Sequence, residues 1–133
     1  MQRTSVTGHL SVELLRANPD RVFVFGDNLL KRGTAGQAII RAEPNAFGIP
    51  TKRLPSMSER AFFSDRDDER EAMLGALREL FVLAKTREIV FPGSGLGTGL
   101  AQMAARSPIL YQLMCDILRE HFGFEQPGGG AKR

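Results

Sequence analysis

The chain lacks what a disulfide framework, a thiolate zinc centre or a membrane span requires. Its 133 residues include one cysteine, one tyrosine, two histidines and no tryptophan. One cysteine excludes an internal disulfide and a Cys-rich zinc site. Cys115 lies in the apolar stretch Ile109 to Phe122, which marks it as a core thiol rather than a reactive one. No run reaches the roughly 18 apolar residues that a bilayer span needs, and Met1-Gln2-Arg3-Thr4-Ser5 leads into no apolar signal core. A cytoplasmic protein with no membrane partner is therefore expected. His9 and His121 are the only histidines and no metal-ligand spacing appears, so neither a metal nor a cofactor is expected.

Charge of one sign is also scarce in excess. Eighteen bases face 15 acids, for a net charge of +3 and a pI near 9.5. The bases are scattered, and several sit at the ends, at Arg3 and in Ala131-Lys132-Arg133. A nucleic-acid partner is accordingly the weakest of the functional classes considered.

What is present describes an ordinary globular domain, 42% hydrophobic and 25% charged. A chain of this length forms one core and buries roughly two thirds of its unfolded surface. The reading is one domain over residues 1–125, with Gln126 to Arg133 a disordered tail.

Ser11 caps a short helix that ends before the turn Asn18-Pro19-Asp20. Arg21-Val22-Phe23-Val24-Phe25 is a β-branched and aromatic run stopped by Gly26, as in a strand covered on both faces. A helix over Thr34 to Arg41 follows, then a short extended segment, Ala46 to Pro50, whose proline confines it to an edge or a strand end. Lys52 to Ser64 reads as an irregular loop. An acid-rich first turn at Ser64 to Glu69 opens a helix with Met73, Leu77, Leu80, Phe81 and Ala84 at helical spacing, running to about Lys85. Glu88-Ile89-Val90-Phe91 is a strand broken by Pro92. Ser107-Pro108 starts a last helix with Leu110, Leu113, Met114, Ile117 and Leu118 on one face. The alternation predicts a compact three-layer α/β domain, its mixed or mostly parallel sheet flanked by helices.

Function is expected at two strand-end loops, where helix N-termini and converging loops leave N–H groups for anions. The second, Gly93-Ser94-Gly95-Leu96-Gly97-Thr98-Gly99, alternates glycine with other residues, so its backbone can approach a phosphate and turn successive amides toward it. It has no lysine for a P-loop and does not fit the Rossmann fingerprint from Gly93 or Gly95. A side chain at Gly97 is expected to enter the phosphate space. In the first loop, Gly26, Asp27 and Asn28 precede a glycine-marked turn containing Gly33, Gly36 and Gln37. Asp27 and Asn28 can hydrogen-bond ribose hydroxyls, or they can cap their own loop. Thr51 and Lys52 can reach the same crevice, with Lys52 either a phosphate counter-charge or a solvated surface lysine. Phe62 and Phe63 either stack on a base or anchor a loop in the core.

The stretches Val22 to Ala38 and Ile89 to Ala101 together resemble the macro domain family, in which one strand ends in an Asn-containing loop and a later one in an apolar-Phe-Pro segment and a Gly-rich loop. Val6-Thr7-Gly8-His9-Leu10-Ser11 resembles that family's early Gly-Asp-Ile-Thr segment, with His9 where the family has its adenine-recognising aspartate. Asn45 and Phe47 to Lys52 are similar to small phage and bacterial macro-like proteins. The resemblance implies a macro-like fold and an ADP-ribose-like nucleotide or ADP-ribosylated substrate, with Asn28 near the distal ribose and Gly95 to Gly99 around the diphosphate. Some family members hydrolyse ADP-ribosyl or phosphate-ester bonds and others only bind. Were this chain catalytic, Asp27 is the expected base and Asn28 the orienting group. A non-catalytic binding or sequestering module is the alternative. Asn28→Ala is expected to weaken binding with little effect on melting temperature.

Overall fold

The run Val22-Phe23-Val24-Phe25 lies at the heart of a computed structural model that describes residues 3–127, and all four side chains are buried. They can be, because the strand is covered on both faces. Val22 and Val24 join the larger apolar layer, against Met73, Leu77, Leu80, Met114 and Leu118, while Phe23 and Phe25 join the smaller, with Leu15, Ala38 and Ile40. The strands are β1 (Thr4–Thr7), β2 (Val22–Asn28), β3 (Ala46–Lys52) and β4 (Ile89–Pro92), and the sheet order is β1-β4-β2-β3. Every pairing is parallel. Helices α2 (Asp67–Leu83) and α4 (Pro108–Phe122) contribute to the larger layer, and α1 (Val12–Ala17) to the smaller. The chain is thus one three-layer α/β domain with a wholly parallel sheet. Among the described residues no helix is long and apolar enough to cross a membrane.

Several boundaries differ from the sequence reading, each for a tertiary reason. Strand β1 has no apolar run to announce it, yet it pairs with β4 from Thr4↔Ile89 to Thr7↔Pro92. Strand β2 does not stop at Gly26, because Gly26, Asp27 and Asn28 continue to pair with β3. Strand β3 runs to Lys52 and is an edge strand, which accommodates Pro50. The helix expected over Thr34 to Arg41 is a 3-10 helix confined to Gly36–Ile40. The irregular loop contains a further 3-10 turn, Glu59–Ala61, and Lys52 bridges Phe62. Phe62 and Phe63 are buried and so anchor this loop rather than stack on a ligand. Phe81 is 40% exposed and packs edge-on against His121 and Phe122.

Two helix starts are capped by carboxylates, one local and one distant. Helix α2 begins after Arg66, and the Ser64 and Arg66 amides both donate to Glu69 Oε1, at 2.7 and 3.0 Å. Helix α4 has Pro108 in its first turn, but the oxygen that accepts its Leu110 N–H belongs to Asp65, at 2.9 Å; Asp65 also accepts from Ser107 Oγ at 2.7 Å. Gln126 is no part of a loose tail: it is buried, and its carboxamide exchanges two hydrogen bonds with the Leu96 backbone, at 2.8 and 2.7 Å. Residues 128–133, the remainder of the expected tail apart from Pro127, lie outside the described part.

Candidate functional site at the sheet switch point

Strands β2 and β4 are neighbours whose onward connections leave to opposite faces. After β2 the chain enters the layer of Ala38 and Ile40; after β4 it enters the layer of Met103 and Leu110. A crevice opens between such strands at their carboxyl ends, the usual position for a ligand in an open α/β sheet. Here it encloses about 410 Å3, within the roughly 300 to 1,000 Å3 of small-molecule sites.

The ladder between the two strands is brief, Val22↔Ile89 and Phe23↔Val90. Beyond it the Gln37 carboxamide bridges the gap. The Gly26 N–H donates to Gln37 Oε1 at 2.8 Å, and Gln37 Nε2 donates to the Gly95 carbonyl at 2.8 Å and to Ser94 Oγ at 3.2 Å. One side chain thereby ties the two loops. Their closeness is direct as well: a Cβ placed on Gly26 would lie 3.3 Å from Thr51 Oγ1 and 4.0 Å from the Gly97 nitrogen. Across the Gln37 bridge lies an adjoining cavity of about 630 Å3, which shares Thr34, Gly36, Gln37 and Ser94 with the crevice and is also lined by His9.

Of the residues selected from sequence, Gly26, Asp27, Asn28, Gly33, Gly36, Gln37, Thr51, Lys52, Ser94, Gly95, Gly97, Thr98 and Gly99 all line the crevice. Gly93 and Leu96 do not. The Gly93 amide donates to the Thr7 carbonyl at 2.7 Å, and Leu96 is buried in the core with its amide bonded to Gln126. Among the described residues the N–H groups of Gly97, Thr98 and Gly99 find no hydrogen-bond partner, and neither do those of Gly33, Thr34 and Ala35. These two runs supply free donors to the crevice.

The side chains are more fully engaged than the sequence suggests. Asn28 organises its own loop: Nδ2 donates to the Arg32 carbonyl at 2.8 Å, and Oδ1 accepts from the Leu30 amide at 3.0 Å. Asp27 Oδ1 accepts from the Asn28 amide and forms an ion pair with Arg41, both at 2.7 Å, and Oδ2 lies over Gly48, where a Cβ would come within 2.6 Å of it. Gly48 is therefore the room for that carboxylate. Thr51 Oγ1 donates to the Asp27 carbonyl at 3.3 Å. Lys52 Nζ donates to the Ser56 carbonyl and stands 5.2 Å from the Phe62 ring centre, and burial draws its pKa below the usual lysine value.

Sequence reasoning missed Arg32, which lines the crevice, and Arg41, which braces the first loop from outside that lining. Besides its ion pair with Asp27, Arg41 donates to the Gly33 carbonyl at 2.9 Å and the Arg32 carbonyl at 3.0 Å, and its guanidinium sits 5.4 Å from the Phe25 ring centre. Its only sequence signal was its place at the end of the expected helix, where a cation ordinarily reads as a dipole partner.

The sequence profile of DUF7831, a family of unknown function, matches residues 5–117. The chain belongs to DUF7831. No curated protein and no solved structure matches it. The matched span of this DUF7831 chain takes in both loops, Gln37 and Arg41, while Gln126 lies beyond it.

The role of Asn28 in this DUF7831 chain alters one expectation. Asn28→Ala removes the acceptor and donor that order residues 28–32, so it will lower stability by about 1 to 3 kcal/mol as well as weaken any ligand. Urea denaturation of the variant beside the parent measures the first effect; unchanged stability would mean that the loop does not depend on the carboxamide.

Proposed function

We propose that the crevice captures ADP-ribose or a related NAD-derived nucleotide, with its phosphates on the free amides of residues 97–99 and 33–35. The observation that carries this reading is the two runs of unpartnered N–H groups on loops joined by Gln37. Backbone amides in alternating conformations form concave anion sites, and the left-handed φ values of +90° at Gly95 and +74° at Gly97 belong to such a chain path. The adjoining cavity beside His9 offers room for a second part of an elongated ligand. The resemblance to macro domains rests on these same loops and points to the same ligand class.

Capture is favoured over turnover. Asp27 is held in an ion pair with Arg41, and the Asn28 carboxamide is spent on its own loop, which supports binding over chemistry at these two groups. A lone buried thiol fits the cytoplasmic setting in which such a nucleotide occurs.

Calorimetric titration with ADP-ribose tests the reading, using Gly99→Glu as the informative variant. Gly99 has an ordinary φ and no atom within 4 Å of an added Cβ, so the fold accepts a side chain there while the crevice gains a negative charge. Affinity is expected to fall at least about tenfold, the scale of a lost charge-assisted contact, with an unchanged melting temperature. Equal affinity in parent and variant, or no binding by either, would remove the nucleotide from this crevice. Release of product from ADP-ribosylated protein or from phosphate esters of ADP-ribose would replace capture with hydrolysis. Steeply salt-dependent binding of oligonucleotides in preference to ADP-ribose would favour a nucleic acid instead.

A further inference from the structure

A third cavity, of about 420 Å3, lies between the segment leading into α2 and the short helix α3 (Met103–Arg106), and it shares no lining residue with the crevice or the cavity beside His9. Four arginines line it, Arg53, Arg60, Arg66 and Arg106, against a single carboxylate, Glu59. Their charges are not equally compensated. Arg53 is neutralised from behind by Asp68 at 2.8 Å and by the buried Glu69 at 2.7 Å. Arg106 pairs with Glu59, whose side chain is 85% exposed and free to yield its place. Arg60 and Arg66 are exposed and make no ion pair among the described residues.

Arg106 is also held in place by groups that leave its charge intact. Its guanidinium stacks 4.0 Å from the centre of the buried Phe62 ring, and Nε donates to Gln102 Oε1 at 3.1 Å. A planar guanidinium fixed in this way is arranged for an anion before the anion arrives. We infer that this cavity binds a phosphate dianion, carried free or as the monoester of a small molecule. Two uncompensated guanidiniums match a double negative charge. The oxygens of a phosphate can also accept from guanidiniums on different segments, whereas the two of a carboxylate suit a single fork.

The test titrates the full chain with inorganic phosphate and, separately, with ribose 5-phosphate at low ionic strength, following the arginine side-chain Nε–H resonances. Shifts at Arg60, Arg66 and Arg106 are expected, weakening with added salt. The double variant Arg60→Gln, Arg66→Gln should lose at least about tenfold in affinity with an unchanged melting temperature, since both side chains are exposed. Tighter binding of ribose 5-phosphate would identify a monoester as the ligand, and equal binding would identify the free ion. Unchanged affinity in the double variant, equal shifts with acetate, or shifts confined to residues 97–99 would overturn the proposal. Titrating the double variant with ADP-ribose separates the two sites: retained ADP-ribose affinity with lost phosphate affinity is expected, and loss of both would show that the cavity is part of the crevice.

Discussion

Gly97→Val will destabilise the domain by about 3 kcal/mol, whereas Gly99→Val, two residues on, will leave stability unchanged. The backbone at Gly97 has φ +74°, a region that costs an L-residue roughly 1 to 2 kcal/mol and suits a β-branched one least. An added Cβ there would lie 2.6 Å from Met103 Sδ and 3.1 Å from Met103 Cγ. Met103 cannot easily withdraw, because it is fully buried and its amide donates to the Gly97 carbonyl at 2.9 Å. Overpacking of this kind adds roughly 1 to 3 kcal/mol. The side chain therefore meets the core and not the phosphate space that the sequence reading assigned to it. Urea denaturation of both variants decides the matter; equal stabilities would show that the loop moves freely over Met103.

Glu69→Ala is expected to cost more, about 3 to 5 kcal/mol, the usual consequence of removing one partner from a buried ion pair. Glu69 has no solvent exposure, and its two oxygens serve three donors: Oε1 takes the Ser64 and Arg66 amides, and Oε2 takes Arg53 Nη1 at 2.7 Å. Truncation would leave the start of α2 without its acceptor and Arg53 with only the exposed Asp68. Glu69→Gln retains an acceptor of the same shape and should lose less. Glu59→Ala, at an exposed pair, should change stability little. A denaturation midpoint for Glu69→Ala as close to the parent as that of Glu59→Ala would show that the buried pair contributes nothing.

Both predictions rest on how buried groups are packed and satisfied in the folded chain, and the same division separates what is legible in the sequence from what is not. The two central strands are evident in the sequence because three or four successive apolar residues leave few other ways to be buried. The spacing of Met73, Leu77 and Leu80 fixed one face of α2, and Ser107-Pro108 marked the start of α4. Pro50 restricts its segment to an edge or a strand end, since a proline nitrogen has no hydrogen to give to a ladder, and β3 is an edge strand. In contrast, Thr4–Thr7 carries no such imprint. It is a strand because β4 offers it an unpaired edge, and that offer depends on the spatial order of the strands in the sheet.

The site divides in the same way. Glycine spacing and strand ends were enough to locate both loops, and the crevice proves to be lined by nearly all the residues chosen from them. The uses of the polar side chains were beyond such a reading. Gln37 lines the crevice and also ties the Gly26 and Gly95 segments together; Asp27 lines it and pairs with Arg41; Gln126, expected in a loose tail, secures Leu96. Local patterns record which side chains must leave water, and this sets helices, strands and turns. The partner that satisfies a buried amide or carboxylate is supplied by whichever segment the crossovers carry alongside it, so only the assembled sheet and its layers decide that.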